Sequence, residues 1–548
     1  MQISNSDFGK FIKKDYYYVD KSLLIEELLN NQNELILLPR PRRFGKTLNL
    51  SMLKYYFDIR EDNKDLFKGL EIEKRDIFNK HINKYPTIYL TLKEVKGLSW
   101  DKIYGSFKVE ISDLYKEHKY LLKSNKLDNY DKELIDKIIR REVELQDYER
   151  SLYKLSEYMY KHYGKEVVIL LDEYDTVMNS FYDKDTYNNI ASFLRGFIGS
   201  AFKDNKYLSK GVITGILRIA KESIFSGANN IAVYNILDND FSNKFGFTED
   251  EVAKILKYFD LENKAEEVRN WYNGYTFGNN VIYNPFSIAN YVQTKALKLY
   301  WLNTSNNSLI EDLLINSDES VKEKLEELIK GNSIKENIEE SIIFNEINTR
   351  YLWSLLLFSG YLKAIEAPNG KYILSIPNRE IGKLYNKIME KYFTDLVPEL
   401  SNIMDNISHS LVSNDIENFS KEFEKLLISK ISSYDIGKRK EGVYHVILLL
   451  SLLRLEHKNQ YEVKSNGESG HGRYDICVIP KNKNKTGYII EIKVAKKNED
   501  LKNKAEKAIK QIEEKEYTTE LKNKSIKSIV LLGIAFEGKR IYIIDKKI

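Results

Sequence analysis

The C-terminal part of the chain reads Gly472-Arg473-Tyr474-Asp475-Ile476 and then, after a turn rich in lysine and asparagine, Gly487-Tyr488-Ile489-Ile490-Glu491-Ile492-Lys493-Val494. Side chains alternate across a strand, so Glu491 and Lys493 share a face, and pairing of the two strands can bring Asp475 beside them. Such a face can hold a hard cation such as Mg2+ through its carboxylate oxygens. A divalent ion there activates water and offsets charge on a phosphate oxygen during in-line displacement. A neighbouring lysine could orient that water. The competing reading is an amphipathic hairpin with solvated charges. Against it, Glu491 and Lys493 interrupt the apolar run of Tyr488, Ile489, Ile490, Ile492 and Val494, where a strand buried on both faces has no use for charge.

A second constellation lies near the N-terminus. Glu34-Leu35-Ile36-Leu37-Leu38-Pro39 reads as a buried strand and runs into Arg40-Pro41-Arg42-Arg43-Phe44-Gly45-Lys46-Thr47-Leu48, which resembles a Walker A loop. Phosphate binding of that kind needs backbone N–H groups at a helix N-terminus, a lysine for the terminal phosphates and a hydroxyl for Mg2+. Gly45, Lys46 and Thr47 supply these. The first glycine of the general pattern falls on Arg40, which cannot take positive φ as cheaply as glycine. Support comes from Val167-Val168-Ile169-Leu170-Leu171-Asp172-Glu173, a hydrophobic strand ending in adjacent acids like a Walker B motif. Asp172 would hold Mg2+ through water, and Glu173 would polarise the attacking water.

Further strands are expected at Thr87 to Leu92, at Gly211 to Ile216 and at Ile231 to Ile236, with Thr214 at the tip of the second as a sensor of the γ-phosphate. Five strands alternating with helices predict a parallel sheet. Arg218, just beyond the sensor strand, is either a group that stabilises γ-phosphate charge or a member of a structural salt bridge. Arg40, Arg42 and Arg43 could grip nucleotide phosphates, contact DNA or pair with neighbouring acids.

Downstream of Lys493 come Ala505, Ala508, Gln511-Ile512 and Tyr517. Upstream, Glu441-Gly442-Val443-Tyr444-His445 opens an apolar helix, and Ser465 to Arg473 is a glycine-rich approach to Asp475. This arrangement resembles the PD-(D/E)XK nuclease superfamily. The resemblance implies a site of Asp475, Glu491 and Lys493 with Gln511 on the following helix, and Glu441 as a further acidic metal ligand. Tyr18-Val19-Asp20-Lys21-Ser22, the loop through Thr47, Leu171-Asp172-Glu173-Tyr174-Asp175 and Arg218 to Gly227 also match one family. So do Trp271-Tyr272-Asn273-Gly274-Tyr275, Tyr283-Asn284-Pro285-Phe286-Ser287, Trp301-x-Asn303-Thr304-Ser305 and Ser375-Ile376-Pro377-Asn378. Together they resemble the bacterial and archaeal AAA-ATPase-like proteins that carry a C-terminal PD-(D/E)XK nuclease domain. Loops of that family commonly lack the first glycine, so Arg40 fits the family.

The 548 residues suffice for three or four domains. With 85 Lys and Arg against 81 Asp and Glu, the net charge is only +4, so any nucleic-acid surface must be local. Between Lys493 and Lys527, 11 lysines face 7 acids, a mild excess that could follow a phosphate backbone or simply coat a helix. The lone Cys477 excludes an intrachain disulfide and reads as a small buried side chain. The histidines lack zinc-site spacing. No basic start precedes an apolar core, and Val446 to Leu453 is far short of the about 20 residues a bilayer requires. A cytoplasmic protein with no membrane partner is expected.

The expected architecture is α/β. Residues 1–247 form a P-loop parallel sheet flanked by helices, 248–400 a helical lid and connector, and 401–548 a restriction-endonuclease-like domain whose boundary is set by the polar residues from Asn402 to Asn414. Lys93 to Tyr163 reads as a charged helical insertion in the form of a hairpin, and Trp271, Tyr272, Tyr275, Trp301 and Trp353 as core. The expected function is ATP-gated, Mg2+-dependent or Mn2+-dependent hydrolysis of nucleic acid, DNA foremost. The alternatives are a nucleotide-dependent switch or scaffold, and a nuclease whose loop binds nucleotide without turnover. Oligomeric state is left open, a homo-oligomer included.

Overall fold

Leu35–Pro39 (β1) and Val167–Asp172 (β3) are buried along their whole length, as central strands of a parallel sheet covered on both faces should be. With Thr87–Thr91 (β2), Leu208–Gly215 (β4) and Ile231–Val233 (β5), they form a five-stranded sheet in the order β2-β3-β4-β1-β5. Every neighbouring pair is parallel. Insertion of β4 between β1 and β3 sets Thr214 beside Leu38 in register and one step beyond the Leu171–Ile213 pair. The ends of β1, β3 and β4 therefore converge at the carboxyl edge, where open α/β sheets place their ligands.

The computed structural model describes residues 6–178, 183–219, 230–302, 308–315, 317–342, 349–396, 399–428, 440–457, 460–496 and 498–548. Much of the Arg218 to Gly227 motif, and Asn303 to Ser305, lie outside them. The chain divides into two compact units, Met1–Leu309 with Lys335–Glu380, and Ile310–Ile334 with Ile381–Ile548.

In the first unit the charged stretch after β2 is helical, as expected, but it is more than a hairpin. Helices Trp100–Glu117, Asn129–Arg140, Leu145–Glu149 and Ser151–Tyr163 follow one another. Beyond β5, Glu249–Tyr258 starts on a capping box of Thr248 and Glu251. Pro285–Thr294 starts on Asn284, whose side chain accepts the Phe286 and Ser287 amides. Small sheets interrupt this helical region: Phe247–Thr248, Asn280–Tyr283 and Tyr275–Phe277 form one, and Lys363–Ala367 pairs with Lys371–Ser375 in another. Tyr272, Tyr275, Trp301 and Trp353 are all buried, so these aromatics are core.

The second unit has a five-stranded mixed sheet in the order Tyr461–Ser465, Ile476–Pro480, Thr486–Val494, Ser528–Glu537, Arg540–Lys547. Only the Thr486–Val494 and Ser528–Glu537 pair is parallel. Its crossover is the helix Leu501–Glu514, which buries Leu501, Ala505, Ala508, Ile509 and Ile512. Helix Lys440–His457 precedes the sheet. The polar residues from Asn402 onward belong to helix Leu400–Val412, whose Leu400, Met404, Ile407 and Leu411 are buried while Asn402, Asp405 and Asn406 are exposed. Among the described residues no helix is long and apolar enough to cross a membrane.

Candidate functional site

Thr214 on β4 donates its hydroxyl to Asp172 Oδ1 at the end of β3, at 2.6 Å. Thr47, in the first turn of helix Lys46–Phe57, bonds the same carboxylate. Asp172 is fully buried and its Oδ2 has no hydrogen-bond partner. Burial and the adjacent Glu173 push its pKa up. A buried carboxylate oxygen left free beside a threonine hydroxyl suits a hard cation. Glu173 sits at φ 55, a left-handed conformation that a non-glycine residue holds only when its surroundings enforce it. Its carboxylate lies 3.6 Å from Lys46 Nζ. Burial pushes Glu173 up, but the Lys46 ammonium, the Thr176 hydroxyl and the Arg42 charge together hold its pKa below the usual value. Lys46 also donates to the Arg40 and Pro41 carbonyls, each at 3.1 Å.

Arg40 does not take the positive φ that the first glycine would supply; the left-handed positions are Arg43 (φ 67) and Gly45 (φ 87). Nor does it reach for phosphate or DNA. It is fully buried, its guanidinium donates to the Pro39, Tyr234 and Phe241 carbonyls, and it lies over the Phe245 and Phe277 rings. The rest of the loop is gripped in the same way. Gly360 leaves room for Pro41, which an added Cβ would approach to 3.0 Å. The Trp301 indole bonds the Arg42 carbonyl, Arg43 lies over Phe286, and Phe44 packs on Tyr275 and Phe277.

The structure thus brings Gly45, Lys46, Thr47, Asp172, Glu173 and Thr214 together. Arg43 is exposed and turned to Phe286, and Arg218 forms an ion pair with Glu340 at 3.4 Å, the salt-bridge role of the two left open. Two residues quoted in the sequence motif but given no role there hold the segment that follows β4. Asp175 accepts the Ile216 and Leu217 amides at 2.8 and 2.9 Å, and the Tyr174 hydroxyl bridges the Leu217 carbonyl and the Ile219 amide. Burial pushes Asp175 up to about 6. Their adjacency to Asp172-Glu173 was the available signal.

In the second unit, register Ile476↔Ile490 places Asp475 against Glu491. Asp475 Oδ2 accepts the Ile492 amide at 2.6 Å. Glu491 is buried; its Oε1 accepts Lys493 Nζ at 2.9 Å and the Gln511 amide, while Oε2 is buried with no partner. Burial, then the Asp475 charge, pushes Glu491 up to about 7 against the pull of Lys493. An orphaned carboxylate oxygen beside a second carboxylate fits a divalent cation. Among the described residues no cluster of three or more His, Cys, Asp or Glu is assembled for a metal, so the described carboxylates here are two. Glu441 lies in the first turn of helix Lys440–His457, and its side chain is outside the described residues. One turn on, His445 brings Nδ1 to 3.9 Å from Asp475 Oδ1 and bonds Ser465 through Nε2. Burial lowers its pKa to about 4. The spacing of four from Glu441 could have placed His445 on the site face. Gln511 also reaches the Tyr517 hydroxyl. Cys477 is buried, and burial pushes its thiol up, as befits a core side chain.

A parallel sheet with lysine, threonine and paired acids at its carboxyl edge, together with a mixed sheet presenting Asp475, Glu491 and Lys493, defines an ATPase-like module and a nuclease-like module in one chain. Comparison with known proteins agrees. The family described as predicted AAA-ATPase matches residues 2–225, and the PD-(D/E)XK nuclease superfamily matches residues 439–546. The chain thus carries an AAA-ATPase-like domain and, C-terminal to it, a PD-(D/E)XK nuclease domain. It is also 25% identical over 533 residues to an "Uncharacterized protein in vnfD 5'region" of Azotobacter chroococcum mcd 1, covering 95% of this chain and 93% of that protein.

Proposed function

We propose that the protein is an ATP-gated, Mg2+-dependent nuclease acting on DNA. The observation that carries this reading is the free, buried Oε2 of Glu491 beside Asp475, with Lys493 and Gln511 both bonded to the opposite oxygen. Asp475 and Glu491, with Glu441, would hold Mg2+ or Mn2+, which supplies positive charge against a phosphate oxygen and acidity to water. Gln511 fixes the Glu491 carboxylate so that its free oxygen faces the site. Lys493 is partly exposed and is placed to orient the attacking water and to offset charge on the phosphate.

In the first unit, Lys46 leaves the Arg40 and Pro41 carbonyls for the terminal phosphates of ATP, and the amides around Gly45 bind phosphate oxygens. Thr47 and Asp172 would hold Mg2+, and Glu173 would polarise the hydrolytic water. Thr214 ties the γ-phosphate side to Asp172 through its hydroxyl, and Arg43 is free at the surface to approach the nucleotide. In this reading residues 1–247 bind nucleotide, 248–400 form the lid and connector, and 401–548 cut.

The test is cleavage of plasmid and single-stranded DNA with Mg2+ or Mn2+, with and without ATP, by the wild type, Asp475→Ala and Lys46→Ala. The reading requires cutting that Asp475→Ala abolishes, and a response to ATP that Lys46→Ala abolishes. ATP binding without cutting under any condition would favour a nucleotide switch.

A further inference from the structure

The indole of Trp301 donates to the Arg42 carbonyl at 3.0 Å. Because the trans peptide sets C=O and N–H on opposite sides, holding this carbonyl also aims the Arg43 amide away from Trp301. Trp301 is itself held. Its backbone amide donates to Glu380 Oε1 at 2.7 Å, the Leu302 amide bonds the same carboxylate, and the Ser287 hydroxyl donates to Oε2 at 2.7 Å. Glu380 is 1% exposed. All three of these groups are donors, so an apolar residue here would leave them unpaired, and a glutamine would turn its own N–H2 on some of them.

We propose that Glu380 is a positioning residue for nucleotide binding: it fixes the turn at Trp301, whose indole holds the Arg42 carbonyl and so sets the loop amides for phosphate. The proposal rests on residues 40–47 being a phosphate loop. A loop that carries arginine in place of the first glycine and holds Arg43 in the left-handed region needs support from outside itself. Glu380 supplies that support without touching the nucleotide.

The experiment measures Mg·ATP affinity of the full-length protein by titration calorimetry for the wild type, Lys46→Ala, Glu380→Gln, Trp301→Phe and the Glu380→Gln/Trp301→Phe double variant. Thermal melting is recorded for each. Each single substitution at 380 or 301 is expected to weaken binding about three- to tenfold, the range one lost hydrogen bond gives. The double variant should be no weaker than the worse single, because both act through one chain of bonds. A merely structural role would instead lower the melting temperature and leave the affinity of folded protein unchanged, or give additive losses; either result overturns the proposal. If Glu380→Gln does not fold, Trp301→Phe decides alone: unchanged affinity rejects the relay. If the wild type does not bind ATP, or Lys46→Ala binds as the wild type does, the phosphate-loop reading falls and this proposal with it, an outcome visible in those two arms.

Discussion

Asp475 Oδ2 accepts the Ile492 amide at 2.6 Å, so a carboxylate on one strand is bonded to the peptide that joins Glu491 to Ile492 on the next. The same side chain therefore has a structural bond through one oxygen and faces Glu491 and His445 with its charge. Asparagine separates these roles, since its carbonyl can still accept the amide. Asp475→Asn should melt within a few degrees of the wild type, about 4 °C at most, while DNA cleavage falls on the order of 100-fold or more. Asp475→Ala should lose the same activity and a further about 1 kcal/mol of stability from the unpaired amide. Equal activity of Asp475→Asn and wild type would remove Asp475 from the chemistry.

Lys46 and Glu173 form an ion pair at 3.6 Å, yet they should fail differently when replaced. Lys46→Ala removes the cation for the terminal phosphates, and nucleotide binding should drop by at least about tenfold. Glu173→Gln keeps the size of the side chain and leaves binding close to that of the wild type. Its hydrolysis rate should fall about 100-fold or more, the usual contribution of a placed general base. Phosphate release in single-turnover conditions separates the two. Normal hydrolysis in Glu173→Gln would assign the water to another group.

The contrast between Arg40 and Arg43 is open to a stability measurement. Arg40 is buried with three carbonyl partners and two aromatic neighbours. Arg40→Leu strands the carbonyls of Tyr234 and Phe241 and should destabilise the first unit by about 3 kcal/mol. Arg43→Ala, at an exposed position, should change stability by less than about 0.5 kcal/mol and act, if at all, on nucleotide affinity. Denaturant melts of both variants give the answer, and equal destabilisation would contradict the cage described for Arg40.

Local pattern carried the sheet and most of the site. The runs at Leu35–Pro39 and Val167–Asp172 are apolar on both faces, and such strands have few other places to go. Asp475, Glu491 and Lys493 betrayed themselves as charges inside an apolar strand pair. What stayed hidden depends on contacts across long separations. Nothing near Arg40 says that Phe245 and Phe277 will enclose it, and nothing near Glu380 says that the Trp301 and Leu302 amides will converge on it. The small sheets between helices were missed for a related reason: strands of two to five residues are too short to show a period. The polar residues from Asn402 onward, read as a domain boundary, include the exposed face of the amphipathic helix Leu400–Val412, since half of such a helix is polar.

His118, at the end of helix Trp100–Glu117, gives a pH prediction. It is 1% exposed, and burial, followed by the charges of Arg60 and Lys54, lowers its pKa to about 3 from an ordinary 6.5. Its ring meets the Tyr120 hydroxyl at 3.3 Å. Between these two values the unfolded chain binds a proton at this residue that the folded chain refuses. Stability therefore rises with pH across the window and is lost as pH falls from 6.5 toward 3, by about 1.4 kcal/mol per pH unit. His118→Gln cannot take up that proton, so the gap between variant and wild type should shift in favour of the variant as pH drops from 7 to 4. Unfolding of both proteins by urea at matched pH measures that gap. A gap independent of pH would mean that His118 takes up its proton equally readily folded and unfolded, and that its burial against Arg60 and Lys54 is wrong.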